Sequence, residues 1–149
     1  MKDVPTTTRP CADCGASGRY GTCLDLFHQL MALDHEQRQP WASFHGLHVA
    51  CYFLQHPSSG SARAAAGQWE LARAYREGGL PAVHALERSR VAANRRNAFD
   101  PSGAPPAPDR RKRGAVTIED LSVDGTFPAA DYALRIDDWI RSVVVERDE

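Results

Sequence analysis

The chain has 149 residues, 42% hydrophobic and 25% charged, with a net charge of −1. That length supports one domain with its own core, the composition is that of a soluble globular protein, and near-neutrality removes any overall pull toward nucleic acid or acidic membranes. No apolar run is long enough to cross a bilayer, and the opening "MKDVPTTTRPC" has no hydrophobic stretch to act as a secretory signal. The expected location is therefore the cytoplasm, where four cysteines serve as thiols or ligands rather than disulfides.

Residues 1–10 read as a disordered tail, polar and without periodicity, and residues 11–149 as a single helical zinc-binding domain. Cys11, Cys14, Gly15, Gly18 and Gly21 make a glycine-rich knuckle that regular structure cannot accommodate. A helix follows over "TCLDLFHQLMALDHEQ". Thr22 is its cap, Asp25 sits where a capping-box acid belongs, and Leu24, Phe27, Leu30, Met31 and Leu33 form its apolar stripe. After a turn at "RQPWAS", Ser43 is expected to cap a second helix, "FHGLHVACYFLQHP", which Pro57 ends. Ser61 starts a third, stopped by Gly78-Gly79. Pro81 opens a fourth that runs to about Ala98.

The segment 99–113 holds four prolines and one glycine and reads as a Pro-rich basic loop. "AVTIEDLSVDGTF" fits a short strand or one helical turn. The C-terminal stretch is an amphipathic helix with Tyr132, Ile136, Trp139, Ile140 and Val143 on one side. The fold class is mainly α. Charge is uneven: Glu87 to Arg113 carries eight basic against three acidic residues, and Gly114 to Glu149 three against nine. Arg110, Arg111, Lys112 and Arg113 are not interleaved with aromatics, as a nucleic-acid stacking platform would need, so nucleic acid is not the expected partner.

C-x-x-C beside a glycine is half of a zinc site, since two intervening residues let both sulfurs reach one ion. A thioredoxin-type redox pair would need a strand before it and a helix directly after it; an iron–sulfur cluster also uses cysteines, but three cysteines with one histidine is zinc's commoner set. Cys23 enters the first turn of a helix, which favours a thiolate. The second helix carries a polar stripe of His45, His48, Tyr52, Gln55 and His56 on an otherwise apolar surface, and a buried helix keeps such groups only if they are satisfied. His45 and His56 are eleven residues apart, about 16 Å on a helix, too far for one ion. If the first two helices form an antiparallel hairpin, Cys23 and His56 share one end, and the expected zinc ligands are Cys11, Cys14, Cys23 and His56, with His45 the alternative fourth. His45 and His48 then lie at the other end, near His35. Asp34 and Glu36, at a helix end, read as solvated, and Cys51 as simply buried.

These motifs resemble a set of small, uncharacterised bacterial proteins, a domain of unknown function. Their pattern is a CPGCG-like knuckle, a further cysteine entering a helix, a histidine, and a D-x-Y-x-x-QHP ending. "CADCG" stands at Cys11–Gly15, "TCLDLF" supplies Cys23, His45 matches the upstream histidine, and Tyr52, Gln55, His56 and Pro57 match the ending. "VTIEDL" and the Trp139 helix are similar too. Ala50 stands where the pattern often has Asp. The resemblance supports the ligand set and implies no activity.

Two functions from different classes fit. A closed set of three cysteines and a histidine leaves no coordination position for water, which suits a zinc-stabilised interaction or regulatory module with a protein partner. Alternatively, His45, His48, Tyr52 and Gln55 line a pocket in a metal-dependent enzyme or small-molecule-binding protein; no HExxH, phosphate loop or Ser-His-Asp order accompanies them.

Overall fold

The computed structural model describes residues 9–95 and 116–148. The expected loop at 99–113, the end of the fourth helix near Ala98 and all but the last two residues of the expected tail lie outside them. Helix α1 spans Cys23–His35. It starts there because Thr22 and Asp25 form a full capping box, each side chain bonded to the other's backbone N–H, at 3.0 and 3.1 Å. Cys23, Leu26, Phe27, Leu30 and Asp34 are its buried residues. Leu24, expected in the stripe, is exposed instead, because the face through Cys23 and Leu30 excludes it. The helix stops in a Schellman turn: Gln37 takes a φ of 59°, and Arg38 N–H bonds the carbonyl of Leu33 at 3.2 Å.

A 3-10 turn, Trp41–Phe44, leads into α2, His45–Gln55. Ser43 does not cap α2. It lies inside the 3-10 turn, where its hydroxyl and backbone N–H both donate to Gln39 Oε1 at 2.7 and 3.2 Å. The residue flanking α2 is Phe44, with no side-chain cap. Helix α2 is the centre of the molecule, buried at Leu47, His48, Ala50, Cys51, Tyr52, Leu54 and Gln55. It runs antiparallel to α1. The end of α1 meets the start of α2 through Asp34 with His45 and His48, and the start of α1 meets the end of α2 through Cys23 and His56.

Helix α3, Ala62–Arg95, begins at Ser61, whose hydroxyl accepts the N–H of Ala64 at 3.1 Å. It is two helical arms broken at Gly79 (φ 69°, ψ −165°), with Pro81 opening the second arm, so the expected third and fourth helices follow one another with a single non-helical residue between them. The ambiguous stretch resolves into one turn, α4, Ile118–Leu121, with a capping box from Thr117 and Asp120, then an isolated bridge between Val123 and Thr126. Helix α5, Tyr132–Asp148, lays Tyr132, Ile136, Trp139, Ile140 and Val143 into the core. No helix among the described residues is long and apolar enough to cross a membrane.

Candidate metal centre

The knuckle is a tight turn tied by its own backbone. Gly15 N–H bonds the carbonyl of Cys11 at 2.8 Å, and Cys11 N–H bonds the carbonyl of Ala16 at 2.7 Å. Gly15 reverses the chain at a φ of +85° with open space around it; a glycine suits this position because of its backbone angle, not crowding. The turn leaves both cysteine side chains on one side. Cys23, first residue of α1, and His56, just past the end of α2, complete the group.

The donor atoms of Cys11, Cys14, Cys23 and His56 all lie within 4.8 Å of one another. Cys14 Sγ and Cys23 Sγ are 3.6 Å apart. A tetrahedral ion with metal–sulfur bonds of about 2.3 Å would set that edge at about 3.8 Å, so the pair stands at nearly the spacing a bound ion requires. His56 donates its Nδ1–H to the carbonyl of Tyr52 at 2.6 Å, which fixes the tautomer and leaves a lone pair on Nε2. That Nε2 is buried without a hydrogen-bond partner, an arrangement costly in a protein interior unless something takes the lone pair. The ring is held flat by stacking on Tyr52 (4.2 Å between centroids), which stacks in turn on Phe27 (4.1 Å).

Cys14 and Cys23 share one proton between their sulfurs. Cys14 is pulled down to about 4, chiefly by the hydrogen bond from Cys23, while burial opposes this. Cys23 is pushed up, because it keeps the proton the two sulfurs share and because burial penalises its thiolate. A cation in place of that proton would relieve the conflict. The chain as a whole offers a soft, compact donor set of the kind zinc and related ions take.

Elements distant in sequence hold the knuckle in place. The Glu119 carboxylate, on α4, accepts the backbone N–H and hydroxyl of Ser17 (2.9 Å each) and the N–H of Arg19 (3.0 Å). Tyr20 donates its hydroxyl to Asp124 at 3.0 Å, and Ser58 bonds Asp13 across the loop after His56. Sequence reasoning missed Glu119, since nothing local marks a carboxylate that reaches about a hundred residues back.

The remaining polar stripe of α2 does not converge on one place. His45 and His48 both present Nδ1 to Asp34 Oδ2, at 2.9 and 2.8 Å, and His48 Nε2 meets the Tyr132 hydroxyl at 2.6 Å. Asp34, expected in solvent, is buried: its side chain is 2% exposed against 57% for His45. Its place on the helical wheel explains this, since eleven residues bring it to within about 20° of inward-facing Cys23. Burial holds His48 below the ordinary imidazole value, against the pull of Asp34. Gln55 donates to the carbonyl of Val116 at 2.7 Å and accepts the indole N–H of Trp139 at 2.8 Å. Tyr52 belongs to the ring stack beside the sulfur cluster. Cys51 is fully buried, which pushes its thiol up. All four cysteines are free thiols.

No curated protein and no solved structure matches the chain. A family model does, described as a family of unknown function (DUF5946), and it covers residues 9–147, from just before the knuckle to the end of α5. With nearly its whole length inside that match, the chain belongs to this family of unknown function.

Proposed function

We propose that Cys11, Cys14, Cys23 and His56 bind one zinc ion, and that the ion fastens the knuckle to the α1–α2 hairpin to make an interaction or regulatory module for a protein partner. The observation that carries this reading is the convergence of four donor atoms within 4.8 Å, one of them the buried, unpartnered Nε2 of His56. Three thiolates and one imidazole fill a tetrahedron and leave no position for a substrate. His48 and Gln55, which an enzyme reading would recruit, spend their polar atoms on Asp34, Tyr132, Val116 and Trp139. A reducing compartment such as the cytoplasm suits a site built from three thiols.

Elemental analysis of the purified protein should find about one zinc per chain; none, or iron with visible absorbance, overturns the reading. Exchange for cobalt separates a closed site from an open one. The tetrahedral cobalt spectrum of a closed set stays unchanged when cyanide or imidazole is added, whereas a spectrum that shifts reveals an open position and favours metal-dependent chemistry.

A further inference from the structure

The sulfurs of Cys14 and Cys23 are in direct contact at 3.6 Å, and both residues are buried, at 3% and 8% exposed. A disulfide needs a separation of about 2.05 Å, so the two must close by about 1.5 Å more. One sulfur belongs to the knuckle and the other to the first residue of α1, nine residues along the chain. Gly15, Gly18 and Gly21 lie between them, and a connection this rich in glycine adjusts its backbone at little steric cost. Cys23 borders a cleft of about 330 Å³ that Gly18, Gly21 and Thr22 also line, and Cys14 is not among the described lining residues. Cys23 is therefore the member of the pair on the cleft side.

We propose that the cluster is a peroxide-sensitive switch, in which hydrogen peroxide joins Cys14 to Cys23 in a disulfide and the metal leaves. This rests on the zinc reading above, in which both sulfurs are thiolates on the ion. Cys23 Sγ attacks one peroxide oxygen, the O–O bond breaks, and the departing hydroxide takes a proton from solvent to become water. Cys23 is then a sulfenic acid. Cys14 Sγ attacks the Cys23 sulfur, the S–S bond forms and the S–O bond breaks, and the second hydroxide leaves as water with another solvent proton. The two sulfurs give up two electrons in all, the peroxide takes them, and zinc, which has no redox chemistry of its own, keeps its charge. Only Cys11 and His56 remain as donors, half of what a structural zinc site needs, so the ion is released. The metal tied the knuckle to both α1 and α2. The disulfide ties it to α1 alone, and His56 at the end of α2 is let go. A regulatory module thereby gains two states that a partner can tell apart, one reduced and metal-bound, the other oxidised and metal-free.

The test uses protein purified in reductant, desalted, and assayed for zinc. An equimolar amount of hydrogen peroxide is then added in the presence of a chromogenic zinc indicator. Release of about one zinc per chain should accompany the loss of two of the four free thiols. After the remaining thiols are alkylated, cleavage before Asp13 and after Arg19 puts Cys11, Cys14 and Cys23 on separate peptides. Mass mapping should find Cys14 joined to Cys23, with Cys11 and Cys51 alkylated. Dithiothreitol and added zinc should restore the starting zinc content. A disulfide from Cys11 to Cys14 or to Cys23, oxidation to sulfinic acid in place of a disulfide, a Cys14–Cys23 disulfide formed with the zinc still bound, or a loss that reductant does not reverse overturns the proposal. Zinc-loaded protein whose thiols stay reduced overturns the inference alone, whereas protein that holds no metal overturns the ligand reading and this inference together.

Discussion

His56 and His45 differ in where their nitrogens are committed. His56 gives Nδ1 to the carbonyl of Tyr52 and keeps Nε2 for the cluster. His45 gives Nδ1 to Asp34 at the opposite end of the hairpin. His56→Ala should therefore weaken metal binding by at least about tenfold, while His45→Ala should leave the zinc content after dialysis unchanged. The reverse result would make His45 the fourth donor. Asp34 matters for a different reason. Asp34→Ala strips His48, buried at the core, of its acceptor, and a buried donor left unsatisfied costs about 1–3 kcal/mol, readable as a lower thermal midpoint. The same histidine sets a pH dependence. Its folded value is depressed by burial below the ordinary imidazole value, which is about 6.5. Below that value the unfolded chain binds a proton that the folded chain refuses, so this contribution is fully present above about pH 6.5 and is lost as pH falls below it. Thermal midpoints between about pH 5 and 7, with zinc content followed in parallel, should fall less steeply on acidification in His48→Gln than in the wild type.

Helix α2 is where the elements meet, and its packing leaves little slack. At Gly46 an added Cβ would stand 2.9 Å from Leu71 Cδ2 and would collide with the Glu87 carboxylate, so the first turn of α2 comes up against both arms of α3. Gly46→Ala should cost about 1–3 kcal/mol through overpacking, with metal content unaffected because the sulfur cluster lies at the other end; an unchanged denaturation midpoint would show that α3 yields freely. How far such features can be read from sequence depends on how local they are. The start of α1 is legible because a capping box spans three residues, and the knuckle is legible because C-x-x-C with Gly15 is a local chemical pattern. That Cys11, Cys14, Cys23 and His56 come together could be anticipated once the hairpin was assumed, since a short turn forces two helices antiparallel. Ser43 misled because its hydroxyl had two possible uses, a helix cap or a bond to Gln39, and the choice was made by the 3-10 turn that anchors Trp41 to the carbonyl of Phe127 at 2.9 Å. Asp34 was legible on the helical wheel, but the general rule that carboxylates at helix ends are solvated outweighed it. Glu119 had no local mark at all.

At the scale of the whole molecule, the knuckle contributes little to the buried core. Trp139, Tyr132, Ile136 and Ile140 of α5 are fully buried together with Leu47 of α2 and Val83 of α3, and of the residues between Cys11 and Gly21 only Cys14 and Ala16 are buried in the same core. The knuckle is fastened instead by the four converging donors, by Glu119, by Tyr20 to Asp124 and by Asp13 to Ser58. Local regions held by few contacts open independently of the global unfolding transition. Chelation should therefore release the knuckle while the helical far-UV signal persists. Amide exchange should rise at residues 11–22 and stay slow in α2 and α5. The Glu119 clamp makes the two fastenings interdependent. In zinc-loaded protein Glu119→Ala frees the N–H groups of Ser17 and Arg19 and lets the chain between Cys14 and Cys23 wander, so part of the metal's binding energy must be spent on ordering it. Zinc affinity should fall by about tenfold, as it does when groups just outside a ligand set are removed, although no metal ligand has been touched. If chelation collapses the helical signal as well, metal and core form one cooperative unit; if Glu119→Ala leaves zinc affinity unchanged, the ligands alone organise the knuckle.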